Sequence, residues 1–199
     1  AYRNGVRQLV VLGAGLDSYA FRTPTGQREL RIYEVDHPST QQWKTARIRE
    51  LAWTIPESLN FIACDFEQTS VPEALRGSSF DPDRPAIVNW MGVTYYLTPE
   101  TTCRTLTDLH EILAPGSEVV FDYQFPYEDL SERYRGVPEA MNYYLEAVGE
   151  PQDNRYRREA LAAIIRKAGY DEVLLESRTA IHERYYTPLG TKIPMSERF

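Results

Sequence analysis

Cysteine is almost absent from these 199 residues, which hold only Cys64 and Cys103. The two stand in no metal-type spacing, so neither a disulfide framework nor a structural zinc site is expected, and a reducing, cytoplasmic setting fits best. No apolar run reaches the length of about eighteen residues that a membrane-spanning helix needs. The stretch Ala1–Arg7 carries two arginines with no apolar segment behind them, so no secretory leader is expected. Positive charge is also in deficit: 22 Lys and Arg against 29 Asp and Glu leave a formal net charge of −7. A chain gripping phosphate backbones would carry a basic stripe. The densest basic stretch, Arg155–Arg158 with Arg166 and Lys167, falls on an expected helix beside Glu159 and reads as a solvated face. Neither a nucleic-acid nor a membrane partner is expected. Internal repeats and low-complexity segments are missing too.

What is present is the composition of a soluble globular protein, 42% hydrophobic and 26% charged, with length for one well-buried domain. Short apolar runs alternate with helical patterns, which argues a largely parallel sheet covered by helices. The runs are Gln8–Leu12, Leu30–Val35, Asn60–Ala63, Ala86–Trp90, Glu118–Asp122 and Glu172–Glu176. Several are rich in valine and isoleucine throughout, as strands buried on both faces should be. A helix should open at Thr98-Pro99, bury Cys103, Leu106, Leu109 and Leu113, and stop at Ala114-Pro115-Gly116. Another covers about Arg157–Ala168, and a weaker one Ser39–Ala52. Between Phe125 and Asn154 the pattern turns aromatic and charged, with prolines at 126, 138 and 151. That stretch reads as an inserted lid with one or two short helices. Ile181–Thr187 fits a last strand or a helical turn.

Three signals carry chemistry. In Leu9-Val-Val-Leu-Gly13-Ala14-Gly15-Leu-Asp17 a buried strand ends at two glycines, which permit a sharp bend and a close ligand approach. A helix N-terminus with free N–H groups should follow. Ser18 stands where a dinucleotide fingerprint has its third glycine, and Asp17 puts negative charge where a pyrophosphate would sit. That suits a cationic ligand better; Asp17 also fits a plain helix cap. In Tyr33-Glu34-Val-Asp36-His37-Pro38, Asp36 ends the second strand about twenty residues past the glycines, where a carboxylate can accept two ribose hydroxyls. A helix cap is the alternative for Asp36. Glu34 points the same way and can share the duty. In Phe61-Ile-Ala-Cys-Asp65-Phe66 a third strand ends in an acid and an aromatic, placed to flank an adenine.

These segments, with Ala20-Phe-Arg22, Trp43-Lys44, Gly92-Val-Thr-Tyr-Tyr-Leu97, Leu113-Ala-Pro-Gly116, Gly149-Glu-Pro151 and Ala168-Gly-Tyr, resemble the leucine carboxyl methyltransferase superfamily, its bacterial and actinobacterial branch above all. The resemblance implies a class I methyltransferase fold, α/β and Rossmann-like: a doubly wound, mostly parallel sheet with helices on both faces and an inserted helical lid. It implies S-adenosyl-L-methionine as cofactor, held by Gly13, Asp36, Asp65 and Phe66, with Ala14, Gly15 and His37 beside them. Two departures accompany it. Met91 occupies the place of a family glutamate at the end of the fourth strand, so Asn89 or a backbone group is expected to replace that contact. The family's helical segment ahead of the first strand, including an arginine near the cofactor, is expected to be absent.

The expected reaction is O-methylation of a hydroxyl or carboxyl on a small molecule, an aromatic acceptor being one option. The enzyme's task is then to hold donor and acceptor about 3–3.5 Å apart and exclude water. No residue is assigned as catalytic base. His37 reads as structural, His110 as surface, and His182 beside Tyr185 and Tyr186 as a weak candidate; Trp90, Tyr143 and Tyr144 fit a pocket lining or plain aromatic packing. An NAD(P)-dependent oxidoreductase and a non-catalytic nucleoside-binding descendant stay open.

Overall fold

Five of the six expected strands form a single sheet in the computed structural model, and all five pair in parallel. The described residues are 5–23 and 29–190. The strands are β1 (Gln8–Leu12), β2 (Arg31–Asp36), β3 (Leu59–Ala63), β4 (Ala86–Trp90) and β5 (Glu118–Phe121), in the order β3-β2-β1-β4-β5. Parallel neighbours need crossovers, and helices supply them: α1 (Pro38–Glu50), α2 (Val71–Arg76) and α3 (Pro99–Ile112). The sixth run, Glu172–Glu176, is not a strand. It has no ladder partner, and Leu174 within it is exposed; apolar alternation alone does not supply the neighbour that a strand requires.

The chain falls into two compact units, Ala1–Val93 with Glu100–Phe121, and Thr94–Pro99 with Asp122–Phe199. The sheet belongs to the first. Val10, Leu12, Ile32, Tyr33, Val35 and Val88 are buried at its centre. The register Val11↔Glu34, Glu34↔Phe61 and Val11↔Asn89 puts these four residues on one face. α1 covers that face, since Lys44 pairs with Glu34 there. The opposite face carries Tyr33, whose hydroxyl donates to the Ser79 carbonyl at 2.9 Å just beyond α2. α1 and the turn after α2 thus lie on opposite faces.

Local chemistry explains the helix bounds. Pro38 opens α1, and His37 caps it by accepting from Ser39 N–H at 3.3 Å. Only Lys44 and Ile48 of α1 are buried, which is why its apolar pattern is weak. α3 begins at Pro99 as expected, but its buried stripe is Thr101, Thr102, Thr105, Leu106 and Leu109, with Cys103 at the margin.

In the second unit the proline-marked stretch forms one sixteen-residue helix, α4 (Glu132–Ala147), running through Pro138, after a short turn at Tyr127–Asp129. A proline inside a helix removes one hydrogen bond without necessarily ending it. α5 (Arg158–Lys167) buries Leu161, Ala162 and Ile165. The segment from Ile181 resolves as helical turns, including a π-turn at His182–Tyr186. No described helix is long and apolar enough to cross a membrane.

Candidate functional site

The strand order reverses between β1 and β4, and in open parallel sheets ligands bind outside the carboxyl ends of strands at such a point. The motif residues collect there. β1 ends at Leu12, and the chain bends through Gly13 and Gly15, both with positive φ, +64° and +49°. Gly13 N–H donates to the Val35 carbonyl at 2.8 Å, so the bend leans onto the end of β2. Gly15 N–H donates to Asp36 Oδ2. The other carboxylate oxygen of Asp36 accepts from His37 N–H at 2.7 Å. Cys64 N–H donates to the Asp36 carbonyl at 2.8 Å, which draws in the end of β3. Asp65 follows, accepting from Glu67 N–H at 3.0 Å and from the Gln68 amide at 2.6 Å. His37 Nε2 lies 3.9 Å from Asp65 Oδ2. Phe66 is half-buried, its carbonyl held by the Arg104 guanidinium. Gly13, Ala14, Gly15, Asp36, His37, Asp65 and Phe66 therefore share one region.

Several expectations need correcting. At Gly13 the absent Cβ leaves no room for a ligand: a Cβ there would overlap the Val93 side chain, which arrives from the loop after β4. At Gly15 the same direction is open, with nothing nearer than the Gly13 carbonyl at 3.9 Å. The helix after the glycines is one 3-10 turn, Tyr19–Arg22, too short to present a row of free N–H groups. Asp17 serves it from one residue before the cap position, its Oδ1 accepting from Tyr19 N–H at 2.6 Å. Asp36 is not the cap of α1; His37 is. Glu34 does not share a ligand duty at the surface of the site. It is 1% exposed, and one of its oxygens pairs with buried Lys44 while the other has no partner. Burial pushes the Glu34 carboxyl above its ordinary range, Lys44 opposes this, and Asp17 and Asp36 add to it.

Across the reversal point, Asn89 sits beside Val11 on β4, half-exposed, and its amide meets no partner among the described residues. Met91 is 48% exposed on the following turn. Trp90 is wholly buried against Phe121, its indole N–H unpaired, and so does not floor an open pocket. His110 is exposed on α3. In the second unit His182 stacks on Tyr186 at 5.8 Å, and Tyr143 and Tyr144 are exposed. Of the basic stretch, Arg157 pairs with Glu128 and Asp129. Sequence reading missed the buried Gln124, Gln152 and Asn154, which lie in irregular segments with no period to reveal them.

A five-stranded parallel sheet in this order, with a glycine bend and strand-end acids at its switch point, is the class I methyltransferase form of the Rossmann-like fold. Residues 1–110 match the leucine carboxyl methyltransferase family, and the chain belongs to that family. YktD of Bacillus subtilis, described as a "putative S-adenosyl-L-methionine-dependent methyltransferase", is 33% identical over 83% of this chain. The chain spans about half of that relative, 54% of its length. Among solved structures, the S-adenosylmethionine-dependent methyltransferase SibL in its apo form superposes with a TM-score of 0.62 at 18% identity, over 85% of this chain and 46% of that one. Human N-acetylserotonin methyltransferase in complex with SAM gives 0.57 at 15%, over 88% and 45%. At these identities the likeness is one of fold.

Proposed function

We propose that this chain binds S-adenosyl-L-methionine at the carboxyl ends of β1 to β4 and serves O-methylation of a hydroxyl or carboxyl group on a small molecule. The observation that carries the reading is the charge of the site. Asp17, Asp36 and Asp65 gather around the glycine bend, while buried Lys44 is spent on Glu34 and leaves them uncompensated. Such a site favours a ligand bearing a sulfonium and an ammonium. A dinucleotide would bring its pyrophosphate against the same acids. Two like charges about 5 Å apart repel by about 3 kcal/mol at an effective dielectric constant of 20.

The residues fit the donor. A carboxylate offers about four lone pairs, and two backbone N–H groups occupy two of those of Asp36, leaving capacity for both ribose hydroxyls. Gly15 gives open approach, Phe66 offers a ring face to the adenine, and Asn89 supplies a free amide where Met91 replaces the family's glutamate. Ala14 and His37 line the same rim. When bound, the cofactor supplies a methyl group on sulfur. The chain's own part is to orient the donor and exclude water, and a carboxylate acceptor requires no base at neutral pH. Membership of the leucine carboxyl methyltransferase family supports the same reading.

Differential scanning fluorimetry tests it, since a ligand that binds the native state raises the melting temperature by mass action. S-adenosylhomocysteine at a hundred times its Kd should stabilise by about 2.7 kcal/mol, an upshift of several degrees. NAD should give none. A shift with NAD and none with S-adenosylhomocysteine would reverse the assignment.

A further inference from the structure

A large apolar side chain open to water calls for an explanation when it stands at a binding crevice. In the first unit, Trp43, Leu51, Trp53 and Ile55 are exposed on α1 and the loop after it, and Val120 on the edge strand β5. Two others stand apart from these. Leu16 is 64% exposed in the bend that leaves β1, and Met91 is 48% exposed in the turn that leaves β4. β1 and β4 are the neighbours between which the strand order reverses.

The bend and the turn touch. Val11 lies beside Asn89 in the ladder, and a Cβ on Gly13 would overlap the Val93 side chain. Leu16 follows Gly13 closely and Met91 just precedes Val93. Both apolar side chains therefore belong to the joined loops at the carboxyl ends of β1 and β4, within the unit that carries the donor site.

Charge is divided across the same reversal point. Asp17, Asp36 and Asp65 come from the ends of β1, β2 and β3. From Ala86 to Thr94, through β4 and its turn, no side chain is ionisable. The acidic side suits the cationic donor. The uncharged side brings Met91 instead, with Leu16 on the adjoining loop. A methyl acceptor must meet the donor at close range with water excluded. An apolar lip contributes to that only when the acceptor has hydrocarbon for it to cover.

We propose that Leu16 and Met91 are specificity-determining residues for the acceptor: they form an apolar lip over the alkyl or aromatic body of a small molecule whose hydroxyl or carboxyl oxygen takes the methyl group. The assignment rests on the methyl-donor reading above. A thioether packs on aromatic rings as readily as on alkyl chains, so Met91 serves either body. Its presence in place of the family's glutamate removes a charge from the lip.

Phenol and 4-propylphenol are the probes, titrated by ligand-observed NMR with S-adenosylhomocysteine at saturation. A wholly buried methylene is worth about four-fold in affinity, and a half-covered one about two-fold. The propyl group should therefore tighten binding to wild type about eight-fold. Met91→Gln, which keeps the side-chain length, and Leu16→Asn should each cut that gain to about two- to three-fold. Met91→Leu should retain it. Inter-ligand NOEs should join the propyl protons to S-adenosylhomocysteine, which separates the lip from the exposed tryptophans of α1 and its loop. With S-adenosylhomocysteine bound, three results each overturn the proposal alone: a propyl gain below about two-fold in wild type, a gain that either polar variant leaves intact, or no inter-ligand NOE. Failure of S-adenosylhomocysteine itself to bind wild type, read by calorimetry, overturns the donor reading and the lip with it.

Discussion

Replacing Asp36 by alanine separates a ligand-binding acid from a structural one. Its carboxylate accepts two backbone N–H bonds, from Gly15 and His37, in a position 9% exposed. Alanine orphans both donors, and each unsatisfied group costs about 1–3 kcal/mol, with the lower end apt for a site at the mouth of a crevice that water enters. A loss of about 2–3 kcal/mol moves the melting temperature of a chain this size down by about 4–12 °C. Ligand affinity should fall separately. Two ribose hydroxyls lose charge-assisted bonds worth about 1.5–3 kcal/mol each, of which water recovers a share, and every 1.4 kcal/mol is about ten-fold. Isothermal titration with S-adenosylhomocysteine, at a temperature where the variant is fully folded, should show Kd raised about ten- to a hundred-fold. A melting temperature that drops while Kd stays within two-fold of wild type refutes the reasoning, because Asp36 would then only tie the glycine bend to β2.

Two further outcomes follow from the same region. Gly13→Ala should destabilise by about 2–4 kcal/mol in urea, from the positive φ together with overlap on Val93; Gly15→Ala, whose Cβ direction is open, should cost only about 1–2 kcal/mol, and Val93→Ala should recover part of the Gly13→Ala loss alone. Lys44→Met leaves the Glu34 carboxylate buried and unpaired, which should cost about 3–5 kcal/mol at pH 7. Because burial raises the folded-state pKa of Glu34, the native chain binds that proton more tightly than the unfolded one, so stability falls as pH rises above the ordinary glutamate range. Removing the lysine enlarges that effect. The gap between variant and wild type should therefore narrow as pH is lowered toward the ordinary glutamate range, and Glu34→Gln should rescue Lys44→Met; a gap independent of pH would contradict the assignment.

The sheet was legible because strands buried on both faces must be largely apolar, as β1 and β4 are, while β2 shows it only at Ile32, Tyr33 and Val35. Glu172–Glu176 has the same local look without a partner, and pairing is a non-local property that no single segment displays. Asp36 was legible by its distance from the glycines. The partner it holds was not, since a hydrogen bond to Gly15 N–H depends on how the bend leans. The role of Glu34 was misjudged for a related reason: alternation places its side chain on the same face as Asp36, but only the fold brings Lys44 over it. Val93 as the neighbour of Gly13 needed the adjacency of β1 and β4. In the second unit, Gln124 and Gln152 belong to irregular backbone, where burial follows from tertiary packing and leaves no rhythm in the sequence.

That adjacency of β1 and β4 also dictates an order of events as the chain is made. One edge of β1 can be satisfied early by β2, but the other waits until Ala86–Asn89 has emerged. Until then an apolar ribbon offers a row of bare amides and carbonyls to any stray strand. A nascent chain halted just short of β4 should accordingly be the form most prone to clump, and the crevice at the strand reversal cannot exist before that last docking is complete.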